Sequence, residues 1–205
     1  WNVNGVHAQR RPGTGDPDGD SDDEPLGDGW DLRADSTGKL SRAMQIVRER
    51  EYAVAIWQET HMSRKEMNAV RGILKRVHGL ESYGTPGSYS AAAHSHRRGV
   101  LVIWDPNALI CEGREVVLPS RLVKVRLRTI ADGSALDVIG AYMPNRGDTA
   151  EAIDEAWEQL HLHASSSEAL VGGDLNVDEG DAGRAATWLQ DVLDDHQMTR
   201  ISVEG

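Results

Sequence analysis

The chain has 205 residues, enough for one substantial hydrophobic core. Its formal net charge of −11 excludes a protein that coats nucleic acid through bulk electrostatics. A single cysteine, Cys111, rules out an intrachain disulfide and favours a reducing compartment, nuclear or cytoplasmic, and no apolar run approaches the ~18 residues needed to span a membrane.

In chain order, the first distinctive segment is acidic. Residues 9–41 carry nine acidic and four basic side chains, so −5 of the total charge sits there. Residues 9–24 hold little that could be buried, so the segment (about 9–40) is predicted to be a disordered insertion inside one domain spanning 1–205. Asp16, Asp18 and Asp20 imitate a calcium loop, but Ser21 and Gly27 stand where an EF-hand needs Gly and Glu. Ser41 is a predicted N-cap for a helix to about Tyr52, followed by a strand over 53–57. Ser63, with Glu66 three residues on, forms a capping box. Met67, Val70, Ile73, Leu74 and Val77 give that second helix its apolar stripe, and Gly79 ends it. Residues 99–104 read as a buried strand. Over 121–128 the pattern alternates, with Val123, Val125 and Leu127 on one face and Lys124, Arg126 and Arg128 on the other. A strand over 135–143, a helix over 149–163 with Ile153, Trp157 and Leu160 inward, a strand over 169–173 and a helix over 183–193 complete a layered α/β pattern.

The chemistry gathers at strand ends. Ala169-Leu170-Val171 reads as a buried strand that runs into Gly172-Gly173-Asp174-Leu175-Asn176. If the strand stays extended, its two-residue period sets Asp174 and Asn176 on one face, beside glycines that admit a close-approaching substrate. Such a pair suits metal-assisted attack of water on phosphate, and equally a plain turn. Asn2 and Asn4, closed by Gly5, share a face or form a turn. Glu59 leaves the 53–57 strand as a metal-binding carboxylate or a solvated loop residue. Tyr142, before Pro144 and Asn145, is a site residue or core packing.

Jointly, Trp1-Asn2-Val3-Asn4-Gly5, Gln58-Glu59-Thr60-His61, Arg98-Gly99-Val100, Tyr142-Met143-Pro144-Asn145 and Gly173-Asp174-Leu175-Asn176 resemble the endonuclease/exonuclease/phosphatase superfamily. Gln-Glu-Thr-His and Tyr-x-Pro-Asn are most similar to abasic-site endonucleases and the endonuclease domains of LINE-type retrotransposons. The resemblance implies a DNase-I-like four-layer α/β sandwich, two mixed sheets flanked by helices. It implies a Mg2+ (or Mn2+) phosphodiesterase that nicks DNA to leave 3′-hydroxyl and 5′-phosphate ends, with a reverse transcriptase possible on the same polypeptide. Glu59 would bind the metal with Asn2 nearby, and Asp174 would orient the attacking water. Asn176, Asn145 and Tyr142 would contact the phosphate, and Asn4 is a further candidate substrate contact. Arg97, Arg98 and the Lys124, Arg126 and Arg128 face are candidates to meet DNA phosphates, and equally a solvated face. A repair endonuclease or other phosphoesterase of the same superfamily, and an inactive remnant, are the alternatives. The family's first strand, late metal-binding Asp and Ser-Asp-His strand have no counterpart here. The chain is therefore expected to be a fragment, incomplete at both ends, that does not cleave DNA by itself. Asp194-Asp195-His196 is rejected as a substitute, because it ends a helix. His94/His96 and His161/His163 lack a third ligand at zinc spacing and read as loop or surface histidines.

Overall fold

A computed structural model describes residues 39–49, 51–165, 168–177 and 183–199. Asn2, Asn4 and almost all of the acidic insertion lie outside these residues. Lys39 and Leu40, at the end of the segment expected to be disordered, belong to a helix.

The described chain folds as two consecutive halves. The first contains helices α1 (Lys39–Glu49) and α2 (Arg64–His78) and strands β1 (Val54–Gln58), β2 (Glu81–Thr85) and β5 (Val100–Trp104). These strands form one sheet in the order β1-β5-β2, and a short hairpin, β3 (Ser88–Ser90) and β4 (Ser95–Arg97), lies between β2 and β5 in the chain. The second half contains β6 (Leu109–Leu118), β7 (Leu122–Thr129), β8 (Ala135–Tyr142) and β9 (Ala169–Asp174), hydrogen-bonded in that order, with α3 (Ala150–His163) and α4 (Arg184–Asp195). Among the described strand pairs, only β8–β9 is parallel. The second sheet is thus mixed as expected, whereas the first is antiparallel throughout its described pairs.

Three cores separate four layers. Met44, Val70 and Leu74 of α1 and α2 pack on Trp57, Leu101 and Ile103 of the first sheet. Trp157 and Leu160 of α3 and Val192 of α4 pack on Leu122, Ile139 and Ala141 of the second. Between the sheets lie Val100, Val102, Val123, Val125, Leu127 and Val138. Each such aliphatic side chain, fully buried, contributes roughly 1.5–3 kcal/mol. Alternation along β7 is therefore the sequence signature of the middle core.

Local chemistry sets the element ends. Ser63 and Glu66 form the reciprocal capping box, and Gly79 closes α2 at φ 69°. Thr149 caps α3 by accepting the Ala152 amide. Two helix expectations fail: Ser41 lies inside α1 rather than capping it, and Val77 is 56% exposed, off the apolar stripe. β9 is also less buried than its composition suggests, with Leu170 39% exposed, because it pairs on the β8 side alone among the described strands.

Two glycines bring the sheets close where the site forms. A Cβ on Gly140 of β8 would lie 2.8 Å from Val100 Cγ1, and one on Gly172 of β9 would lie 2.7 Å from Ile56 Cδ1. Gly173, at φ 136°, leaves no room for a side chain against the Ala141 carbonyl. The Gly-Gly pair is therefore required by close backbone packing within and between the sheets.

Candidate active site

The two-residue period of the strands aims the key side chains. On β8, Val138, Gly140 and Tyr142 share the face toward the first sheet, and on β9 Gly172 and Asp174 do the same. β1 ends beneath them at Gln58, and Glu59 turns off it in a left-handed conformation, φ 51°. Across this seam the Tyr142 hydroxyl donates to Glu59 Oε1 at 2.8 Å. Burial, the Glu59 hydrogen bond, and the negative charges of Glu59 and Asp174 push the phenol up to about 12, against the opposing pull of Arg121. Tyr142 is therefore a neutral hydrogen-bond donor at physiological pH. Two buried oxygens flank Glu59 in sequence, Gln58 Oε1 and Thr60 Oγ1, and neither has a hydrogen-bond partner among the described residues.

Asp174 ends β9, and its Oδ1 accepts the Asn176 amide at 3.0 Å. The strand does not stay extended: Asn176 is left-handed at φ 53°, and its Nδ2 donates to the Met143 carbonyl at 2.7 Å. Asp174 and Asn176 thus meet through an Asx-type turn, not by sharing a strand face. Asn145 Oδ1 accepts the Gly147 amide at 2.8 Å, which shapes the loop after Tyr142. Glu59, Tyr142, Asp174, Asn176 and Asn145 consequently stand on one seam of adjoining strand ends. Arg97 is exposed at the end of β4.

Arg98 is drawn into the site region by a residue the sequence did not single out. Asp148 Oδ1 accepts from Arg98 at 2.8 Å and from Arg121 at 3.0 Å, and its Oδ2 accepts the Asn145 amide at 3.0 Å. Burial opposes the Asp148 charge, but the Asn145 amide, Arg121 and Arg98 outweigh it and hold the carboxyl below its usual range. Arg121, 4% exposed, also donates to the Tyr142 carbonyl at 3.3 Å. Burial and the neighbouring Arg98 lower its pKa, but the guanidinium remains charged. One signal for Arg121 was present in the sequence. It shares odd parity with Val123, Val125 and Leu127, so an arginine stands on the face that points between the sheets.

The other basic candidates are engaged elsewhere. Lys124 pairs with Asp137 at 3.0 Å and caps the C-terminal end of α3 through the His163 carbonyl. Arg128 pairs with Glu112 at 2.7 Å, and Arg126 stands 3.8 Å from the same carboxylate. His161 meets Asp195 at 3.3 Å and His196 contacts the His161 carbonyl, which places Asp194-Asp195-His196 at the α3–α4 contact. Among the described residues no group of three or more His, Cys, Asp or Glu is arranged to hold a metal ion. No described helix is long and apolar enough to cross a membrane.

No protein-family model matches the sequence, and no curated protein matches it. Solved structures do. The human Nocturnin catalytic domain aligns over 77% of this chain and 63% of its own, with a TM-score of 0.59 at 11% identity. The chain has the endonuclease/exonuclease/phosphatase fold. An AP endonuclease from Archaeoglobus fulgidus shares this fold with a TM-score of 0.56 at 17% identity, over 77% of this chain and 65% of the other. The endonuclease domain of TRAS1, a telomere-specific non-LTR retrotransposon, does so with a TM-score of 0.53 at 14% identity, over 77% and 66%. The chain therefore spans just under two thirds of the matched structures' length.

Proposed function

We propose that this chain belongs to a metal-dependent phosphodiesterase, a DNA-nicking endonuclease of a LINE-type retroelement. The observation that carries the reading is the 2.8 Å hydrogen bond between Tyr142 and Glu59, made across the seam where Asp174 also ends its strand. A carboxylate pair beside a neutral phenol donor suits a phosphate whose charge is bridged to the carboxylates by a divalent cation.

The donor set fits a hard divalent ion. Magnesium is commonly held by one or two carboxylates, with waters and substrate oxygens completing its shell. Glu59 and Asp174 supply two carboxylates, and the unpartnered Gln58 and Thr60 oxygens lie beside Glu59 in the chain. When bound, Mg2+ or Mn2+ would supply Lewis-acid stabilisation of charge on the phosphate. The protein's own groups do the rest. Asp174 orients the attacking water and accepts its proton, and Tyr142 donates to a phosphate oxygen. Asn176 and Asn145 fix the loops from which these groups reach the substrate, and exposed Arg97 adds a phosphate contact on the flanking strand.

The likeness to an AP endonuclease and to a retrotransposon endonuclease domain supports DNA as the substrate, and a reverse transcriptase on the same polypeptide is part of the retroelement reading. The same likeness favours a second reading, an abasic-site repair enzyme; a strong preference for abasic over intact duplex would select it. The deciding experiment measures nicking of supercoiled DNA with magnesium, in the protein that carries this chain. Glu59→Gln and Asp174→Ala are each expected to lower the rate at least about 100-fold, and chelation should abolish it. Undiminished cleavage by Asp174→Ala would sink the reading.

A further inference from the structure

We propose that Asp148 is a positioning residue: gripped by Arg98 and Arg121, it clamps the turn that follows Tyr142 to the loop that carries Glu59. The inference rests on the proposed function only in assigning Glu59 and Tyr142 to the reacting centre.

The connections run in both directions from one carboxylate. Toward Glu59, Asp148 Oδ1 holds the Arg98 guanidinium at 2.8 Å. The backbone carbonyls of Arg98 and Gly99 then accept the amides of His61 and Thr60 at 2.9 and 3.2 Å, so the 59–61 loop hangs on this segment. Toward Tyr142, the same oxygen holds Arg121 at 3.0 Å. The Arg121 carbonyl accepts the Tyr142 amide at 2.9 Å, and its guanidinium donates to the Tyr142 carbonyl. Asp148 Oδ2 closes its own turn on the Asn145 amide. Each half of the fold supplies one arginine, so the clamp crosses the same seam as the Tyr142–Glu59 bond.

Backbone strain is a second, independent observation. Glu59, His61, Arg98 and Ser120 all adopt left-handed conformations, with φ of 51°, 55°, 68° and 64°. Non-glycine residues stay there only where their surroundings over-determine them. All four lie on the segments that the clamp joins, and Ser120 accepts the Gly99 amide through its carbonyl.

The test is amide hydrogen exchange on this chain, comparing wild type with Asp148→Asn and Arg98→Gln. Both variants are expected to speed exchange at Thr60, His61 and Tyr142 about tenfold, relative to the Val102 and Ile103 amides of the buried β5 core. Arg98→Gln alters a partly exposed side chain and keeps the experiment decisive if Asp148→Asn folds poorly. Faster exchange confined to Asn145, with 60–61 unchanged in both variants, would overturn the clamp and leave Asp148 a staple of its own turn. Where nicking is measurable, Arg121→Lys should lower kcat with KM unchanged, because an ammonium cannot fork between Asp148 and Tyr142. Exchange needs no substrate. A coupled clamp in a protein that cleaves no DNA would therefore uphold this inference while the proposed function fell.

Discussion

Two carboxylates in this protein each stand between two arginines, and they do different work. Glu112 faces Arg126 and Arg128 on the second sheet, with side-chain exposures of 30%, 55% and 47%. Asp148 faces Arg98 and Arg121, with exposures of 18%, 37% and 5%. The first group is solvated, and its charges are screened and easily replaced by water. The second bridges two halves of the fold, and Arg121 has little water to turn to. Identical side-chain chemistry is decoration at one place and architecture at the other, and burial decides which.

The sharpest way to break this comparison is Asp148→Ala. It leaves Arg121 buried without its anion and should cost about 3 kcal/mol, the low end for breaking a buried pair because Arg98 is partly exposed. The midpoint of urea unfolding reads this directly. A cost below about 1 kcal/mol would reduce Asp148 to the standing of Glu112. Next in size is Gly140→Ala, which changes no charge. Its methyl group would press on the branched, stiff side chains of Val100, Val102 and Ile56 at 2.8–3.2 Å. An overpacking cost of about 1–3 kcal/mol is expected, and nicking should fall by more than stability alone explains, because the sheets part where Glu59 meets Tyr142. Acid provides a third probe. The Asp148 carboxyl is lowered in the fold, so its contribution is complete above the unfolded value of about 3.9 and disappears as pH falls through the lower folded value. The stability gap between wild type and Asp148→Asn should hold at neutral pH and close below about pH 4. The smallest effect belongs to Glu112→Ala, which should stay within about 1 kcal/mol and shrink further in high salt.

Much of the scaffold was legible because its signals are local. Ser63 and Glu66 announce a helix start within four residues, and Val123, Val125 and Leu127 announce a core face by parity alone. Strands β2, β3, β4 and β6 were not anticipated. β3 and β4 are three residues each, and β6 carries Glu112, Gly113 and Arg114 in its middle with register shifts at Cys111/Gly113 and Val116/Leu118. Those bulges erase the two-residue period on which a strand is recognised. In the site, Glu59, Tyr142, Asp174, Asn145 and Asn176 were each found at a strand end or in the loop beyond one. The local path of the Asp174–Asn176 turn was missed, since it depends on a left-handed asparagine tied to Met143. Asp148 left no motif, because its partners lie 50 and 27 residues away and meet it only after the sheets have stacked.

The division of the chain into consecutive halves carries a consequence for synthesis. A nascent chain that ends at Trp104 has Glu59 and the strands of the first sheet, but neither Tyr142 nor Asp174. Glu59 can meet Tyr142 and Asp174 only after β9 has been made and the second sheet has docked on the first. The seam is therefore a product of tertiary assembly, and no segment of the first half can form it in advance.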